Sequence, residues 1–342
     1  MKINNNKGEI MNKFTKVGIS ALAGSLVAIS AQAVEMSAAG SAKLTYTGND
    51  STETIGNPFG MNTSVSFSGT GEVNGYETTL LVTAADQFSG MSSASLSVDL
   101  GDMGKVTFDQ GVGAGGISTI DDKTPTANEE VWDGLDAVTG TANGLVGGGN
   151  GGVFVYANSY SGANLSVQLS KGDRTSHTDD GAKATTGTSG SSWDFALTSD
   201  TLMDGVSAGV GHGQIANGAQ TGTGSDVDKH SVAFVNYSMG MATVGFSMAK
   251  VDKGITGKSS EAAQAFGLSL NVNDNLSLSY GEREIEYEHD DATNVTEDIS
   301  GIAVAYTMGS AKISLQMNET DNNGGTANVK DENTEVALSL SF

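Results

Sequence analysis

The sequence has no cysteine at all and only 2 prolines in 342 residues. Without cysteine, disulfide frameworks, thiolate nucleophiles and cysteine-bound metals are excluded together. Bases are scarce: 17 Lys and Arg against 40 Asp and Glu, a net charge of -23. Residues before 34 hold four of those bases (Lys2, Lys7, Lys13, Lys16) and one acid (Glu9), so the remainder carries -26. A surface of that sign repels phosphate backbones and argues against any nucleic-acid partner. Apolar residues reach only 37%, too few to fill the core of a chain this long. No run of about 18 apolar residues occurs beyond the N-terminus, so no transmembrane helix is expected. Glycine, at 47 residues, is the abundant type. Gly-rich acidic composition can signal disorder, but the periodicity below argues against that.

The stretch "MNKFTKVGISALAGSLVAISAQA" has the layout of a secretory signal. Lys13 and Lys16 form the positive region, Val17 to Ile29 the apolar region, and Ala31-Gln32-Ala33 the small-residue cleavage pattern. Residues 1–33 are therefore expected to be an extension plus a cleaved signal, with Met11 a natural start and the exported domain spanning 34–342.

Beyond residue 34 the dominant period is two. Leu44 and Tyr46 alternate with Lys43, Thr45 and Thr47; Leu96, Val98 and Leu100 alternate with Ser95, Ser97 and Asp99; Ile313, Leu315 and Met317 alternate with Lys312, Ser314 and Gln316. Each run has one greasy face and one of small polar residues, the pattern of half-buried strands. Sixteen runs are predicted: 37–47, 62–72, 75–85, 92–100, 104–110, 152–160, 163–171, 191–199, 205–215, 228–238, 240–251, 261–272, 275–286, 297–307, 310–319 and 332–342. The parity of 228–238 and 275–286 is ambiguous, and 205–215 is rich in glycine.

Connections alternate between short ones, such as "VNG" at 73–75 and "YSGA" at 160–163, and long ones, such as 48–61, 171–190, 287–296 and 320–331. Tight turns on one side and long loops on the other characterise an up-and-down outer-membrane barrel, and about ten residues suffice for a tilted strand to cross. Tyr76, Tyr160, Tyr237 and Tyr306 each fall near a short turn, and Phe342 ends at the same level. Together they predict one ring of an aromatic girdle. The fold class is thus all-β, a 16-stranded antiparallel transmembrane β-barrel, wide enough for an aqueous channel.

One connection stands apart. Residues 111–151 interrupt the alternation after the fifth run and carry Asp121, Asp122, Glu129, Glu130, Asp133 and Asp136 against the single base Lys123. Loops of this length are usually functional or disordered. The signal, the sixteen runs, "LGDMGKVTFDQG" leading into the long loop, and the aromatic C-terminus resemble the general-diffusion porins of Gram-negative bacteria, particularly the alphaproteobacterial type. The resemblance is one of pattern across 34–342. It implies a trimeric outer-membrane barrel with strands near both termini at the subunit contact. It implies a third long loop folded inward as the constriction, and Phe342 as the residue read by the barrel-assembly machinery. It also implies acidic loop residues facing a basic cluster on the wall. The chain departs there, since only Arg174 and Arg283 exist and Arg174 lies in a long loop.

Parity nominates Lys43, Lys105, Arg283 and Lys312, with Asp99 and Asp109, as charges on the pore wall. The expected function is a channel for passive diffusion of small hydrophilic solutes and ions, weakly cation-selective. Expected partners are a homotrimer, outer-membrane lipid and lipopolysaccharide. The acidic stretches "TSHTDDG", "EYEHDDATNVTED", "NETDNNGG" and "KDENTE" are placed in outer loops, where carboxylates either bind Ca²⁺ or Mg²⁺ or simply repel one another in water. No other cofactor is expected. His177, His212, His230 and His289 lack metal-ligand spacing, and HExxH, GxSxG and GxxxxGK[ST] are absent. No enzyme is therefore predicted. The glycine run at 147–152 is not repeated as a calcium-binding nonapeptide would be. The alternative is a secreted or surface-attached β-structural protein of the adhesin or surface-layer type.

Overall fold

The computed structural model describes residues 35–49, 56–84, 91–110, 115–137, 142–146, 152–171, 191–216, 227–254, 260–289 and 293–342. The predicted signal at 1–33 lies outside them. Sixteen strands run in chain order: β1 Glu35–Asn49, β2 Phe59–Val73, β3 Tyr76–Ala84, β4 Met91–Asp99, β5 Lys105–Asp109, β6 Val153–Tyr160, β7 Ala163–Lys171 and β8 Ser191–Ser199. The second half comprises β9 Val206–Ala216, β10 Val227–Met239, β11 Ala242–Asp252, β12 Ser260–Asn271, β13 Leu276–Glu288, β14 Val295–Met308, β15 Ala311–Asp321 and β16 Lys330–Ser341. Each pairs antiparallel with its neighbours in sequence, and β1 pairs with β16, so the sheet is a closed barrel. Closure is what a membrane-spanning sheet requires, since an open edge would leave backbone groups unpaired in hydrocarbon.

The seam is well defined. Ala42 faces Leu340 and Tyr46 faces Val336. At its foot the Phe342 N–H donates to the Gly40 carbonyl at 2.9 Å, and the Gly40 N–H donates to the Phe342 carbonyl at 2.7 Å. The short turns are sharp: Asn74 and Gly75 both have positive φ, as do Ser161 and Gly162, the backbone that two-residue hairpins need.

Outward positions carry the apolar belt. Phe67, Leu80, Leu96, Phe154, Leu169, Phe246, Phe266, Leu268, Ile302, Leu315 and Val336 are all exposed. A water-soluble fold would bury such side chains; against acyl chains they need no cover. Tyr76, Tyr160, Tyr237 and Tyr306 are also exposed, on the outer face at the short-turn end.

Two expectations need correction. Much of the acidic sequence assigned to outer loops belongs to strand ends: β13 continues to Glu288, β14 starts at Val295, β15 runs to Asp321 and β16 starts at Lys330. Glu286 and Glu288 therefore stand at the end of β13, in line with Glu282 and Glu284 of the predicted run, and Glu286 pairs with Thr296 of β14. "TSHTDDG" at 175–181 lies outside the described residues. The ambiguous parity also has a physical cause. On β13 the inward side chains Ile285 and Tyr287 are buried, and on β10 so are Val232 and Phe234. Polarity thus inverts in the upper half of these strands, with apolar residues inside and charge outside. The Gly-rich run is a full strand, β9, whose inward Gly209 and Gly211 sit against Phe234 and Ile117.

Candidate functional site: the long loop and the inner wall

The apolar patches on the inner wall are covered by the long connection after β5. Ile117 and Ile120 pack with Ala142, Ala196, Val232, Phe234 and Val251 in one cluster. Leu145 packs with Val153, Val155 and Ile215 in a second. Val131, Trp132 and Leu135 lie against Ala263, Ile285, Tyr287 and Ile299 in a third. Full burial of a side chain of this size contributes on the order of 2 kcal/mol, so these patches are the main force holding the segment to the wall.

Hydrogen bonds fix its register. The buried Asp194 carboxylate of β8 accepts the N–H of Ile117 and of Leu145, each at 2.8 Å, and the Gln168 amide at 2.8 Å. One side chain thus joins the start of the loop, its return and the barrel. Gly116 leaves the space this needs, since a Cβ there would overlap the Asp194 carboxylate, and its φ of 57° favours glycine. His230 Nδ1 accepts the Gly144 N–H at 3.1 Å. Farther on, Ser279 Oγ accepts Ala127 N–H, Gln316 brackets the backbone of Glu129 and Glu130, and Asp331 accepts Asp136 N–H. Asp194, Gln168, Gln316 and Asp331 were missed by sequence reasoning. Their only signal is a polar group of inward parity, shared by many other residues.

The nominated residues divide clearly. Asp121, Glu129, Glu130 and Asp133 are half-buried, and Asp122 and Asp136 are exposed. Burial first, then the neighbouring Asp122, pushes the Asp121 carboxyl up to about 7. Burial also raises Glu130 and Asp133, with the other loop carboxylates adding to the effect. The loop carboxylates thus crowd one another, as expected for like charges with few counter-ions.

Of the wall bases, Lys43 Nζ lies 2.8 Å from Glu335 and 3.8 Å from Glu129. Arg283 is buried, with its guanidinium 4.1 Å from the centre of the Trp132 ring. Lys105 and Lys312 share the inward parity of Asp109 and Ser314 respectively. Asp109 is buried, and Asp99 accepts the Gly101 N–H at 2.8 Å in the turn. Lys43 and Lys312 lie in one row, each opposite Ser339 of β16, whereas Lys105 stands on β5 and Arg283 on β13. Much of the inner face of β1 to β4 carries hydroxyls instead, with Ser37–Ser68, Ser66–Thr83 and Thr70–Thr79 bonded in pairs at 2.7–2.9 Å.

A cavity of about 1090 Å³ opens beside the loop, lined by Asp99, Lys105, Thr119, Lys123, Asn158 and Asn236 among others. Among the described residues no group of three or more Asp, Glu or His is placed to hold a metal ion.

No family model matches this sequence, and no curated protein matches it. Solved structures do. OmpT, an outer membrane protein of Vibrio cholerae, superposes with a TM-score of 0.66 at 14% identity, covering 92% of this chain and 99% of that one. The anion-selective porin of Comamonas acidovorans gives 0.66 at 12% identity, covering 91% and 100%. OmpF of Salmonella typhi, in complex with daunomycin, gives 0.62 at 9% identity, covering 90% and 97%. At these identities the likeness is one of fold, and the fold is that of the sixteen-stranded porins.

Proposed function

We propose that the chain is an outer-membrane porin, a water-filled channel for passive diffusion of small hydrophilic solutes, and that it prefers cations. The closed barrel, its greasy exterior and the overlap with solved porins support the channel. They also disfavour the adhesin or surface-layer reading, because a chain exported into water gains nothing from an exposed apolar belt. One observation carries the selectivity: the loop bears six carboxylates, and Lys43, the wall base that reaches one of them (Glu129, 3.8 Å), is already engaged by Glu335 at 2.8 Å. At about 4 Å and an effective dielectric near 20, one such pair is worth about 4 kcal/mol before desolvation, so little positive potential is left for passing anions. Fixed acidic charge at a narrow point favours cations.

In this reading the loop at 111–151 is the constriction, with Asp121, Asp122, Glu129, Glu130, Asp133 and Asp136 at its edge. Lys43, Lys105, Lys312, Arg283, Asp99 and Asp109 set the wall potential. Three copies assemble through the wall near the termini, where outward residues of β1 such as Ala38, Gly40 and Ala42 are small. Export through the periplasm, the barrel-assembly machinery and contact with lipopolysaccharide belong to the same proposal. No chemical step is assigned to it. Reversal potentials across a planar bilayer in a salt gradient test the selectivity. Cation preference is expected, and anion preference overturns it.

A further inference from the structure

Four glycines on adjacent strands stand side by side on the inner wall. Gly245 of β11 pairs with Gly267 of β12, which pairs with Gly281 of β13, which pairs with Gly301 of β14. The row is bounded by two asparagines in the same register: Asn236 opposite Gly245, and Asn318 opposite Gly301. At roughly 4.8 Å per strand, the four positions together carry no side chain of their own over about 15–20 Å, and the two asparagines lean over the ends of the row. None of the four has the left-handed φ that calls for glycine. Glycine also weakens a strand interior, so the reason for the row is close approach.

At Gly245, Gly267 and Gly281 what approaches is the loop: a Cβ on Gly245 would lie 2.3 Å from Pro125 Cδ, and 2.0 Å from Asn236 Oδ1; on Gly267, 2.7 Å from the Pro125 carbonyl oxygen; on Gly281, 2.6 Å from Val131 Cγ1, while at Gly301 the close atom is Asn318 Oδ1, at 2.1 Å. Real side chains do not tolerate such distances, and at Gly267 the obstacle is backbone. The two asparagines hold the ends of the same segment. Asn236 Nδ2 donates to the Lys123 carbonyl at 2.7 Å, and Asn318 Nδ2 donates to the Asp133 carbonyl at 2.8 Å.

The geometry points to a seat: the glycine trough between Asn236 and Asn318 lets residues 123–133 lie flush with the wall and so sets the aperture of the channel. This rests on the pore reading and adds to it the residues that fix pore width. Gly245, Gly267 and Gly281 are positioning residues, acting through the loop. Any side chain there lifts the segment carrying Glu129, Glu130 and Asp133 toward the axis.

The test compares Gly267→Val and Gly281→Val with Gly48→Val, a strand position whose nearest atom is 3.9 Å from an added Cβ. All are checked for heat-modifiable migration as folded barrels. Single-channel conductance and the size cut-off in liposome swelling should fall for the two trough variants, conductance by about 1.5-fold or more, and stay unchanged for Gly48→Val. Should valine prevent folding, Gly281→Ala replaces it, and Val131→Ala in the same chain should restore conductance by removing the obstructing methyl. The seat is read separately by acrylamide quenching of Trp132 in a Trp193→Phe background, which should increase in the trough variants. Folded trough variants with wild-type conductance, cut-off and quenching overturn the inference. A wild-type barrel that does not conduct overturns the pore reading, and the quenching result still decides the seat.

Discussion

The Arg283 guanidinium lies 4.1 Å from the centre of the Trp132 ring, so this buried wall cation is packed against the loop. In a basic-ladder pore such an arginine would steer anions; here it grips an aromatic ring. A desolvated contact of this kind is worth on the order of 2 kcal/mol. Trp132→Ala should therefore loosen the loop and leave the barrel intact. We expect noisier open-channel current with unchanged heat-modifiable migration, and a Trp132→Ala trace as quiet as that of the wild type would count against the contact's role.

Asp194 should matter more. It accepts two backbone N–H groups from opposite ends of the loop and the Gln168 amide. Asp194→Ala leaves three buried donors short of a partner, at about 1–3 kcal/mol each, and should free both ends of the loop. Limited trypsin digestion of the folded protein should then cut at Lys123 at least several-fold faster than in wild type. Equal rates would show that the apolar clusters alone hold the loop.

Channel selectivity should depend on pH near neutrality. Asp121 titrates at about 7 because burial and Asp122 both oppose its charge. A carboxyl raised above its unfolded value favours the folded loop at low pH, and that stabilisation is lost as pH rises through about 7. Below that point the loop also carries one fewer negative charge per chain. Cation preference should decline from pH 8 to pH 6, and Asp121→Asn should flatten the profile. A pH-independent reversal potential in the wild type would rule this out.

Deletion of Phe342 removes both backbone hydrogen bonds to Gly40 at the foot of the seam. Membrane levels of the truncated protein should drop severalfold on immunoblots, while the channels that do assemble keep wild-type conductance. Normal levels would show that the aromatic end is dispensable for assembly.

The barrel was readable because its signal is redundant. Sixteen runs repeat one alternation, so an error at β9 or β13 does not change the architecture. Leu44, Leu96 and Leu315 point outward as their parity required. The inner wall was less readable because it is written across strands. Gly245, Gly267, Gly281 and Gly301 are 14 to 22 residues apart in sequence, and only the pairing register lines them up. Nothing local distinguishes Asp194 from the other acids, since its function depends on the N–H groups of Ile117 and Leu145. The ambiguous parity of β13 has the same origin: Ile285 and Tyr287 follow the rules of a core because the loop makes one there.

The seam between β1 and β16 bears on when the protein can come into being. Gly40 and Phe342 are separated by roughly 300 residues, and no cylinder exists until they meet. Hairpins such as β2–β3 can form as soon as their own residues are available. The ring itself has a final step that engages the two strands farthest apart in the chain. Such a topology ties insertion to completion: a nascent chain short of its last strand is an open ribbon that hydrocarbon will not accept. The membrane therefore acts as a proofreader of length.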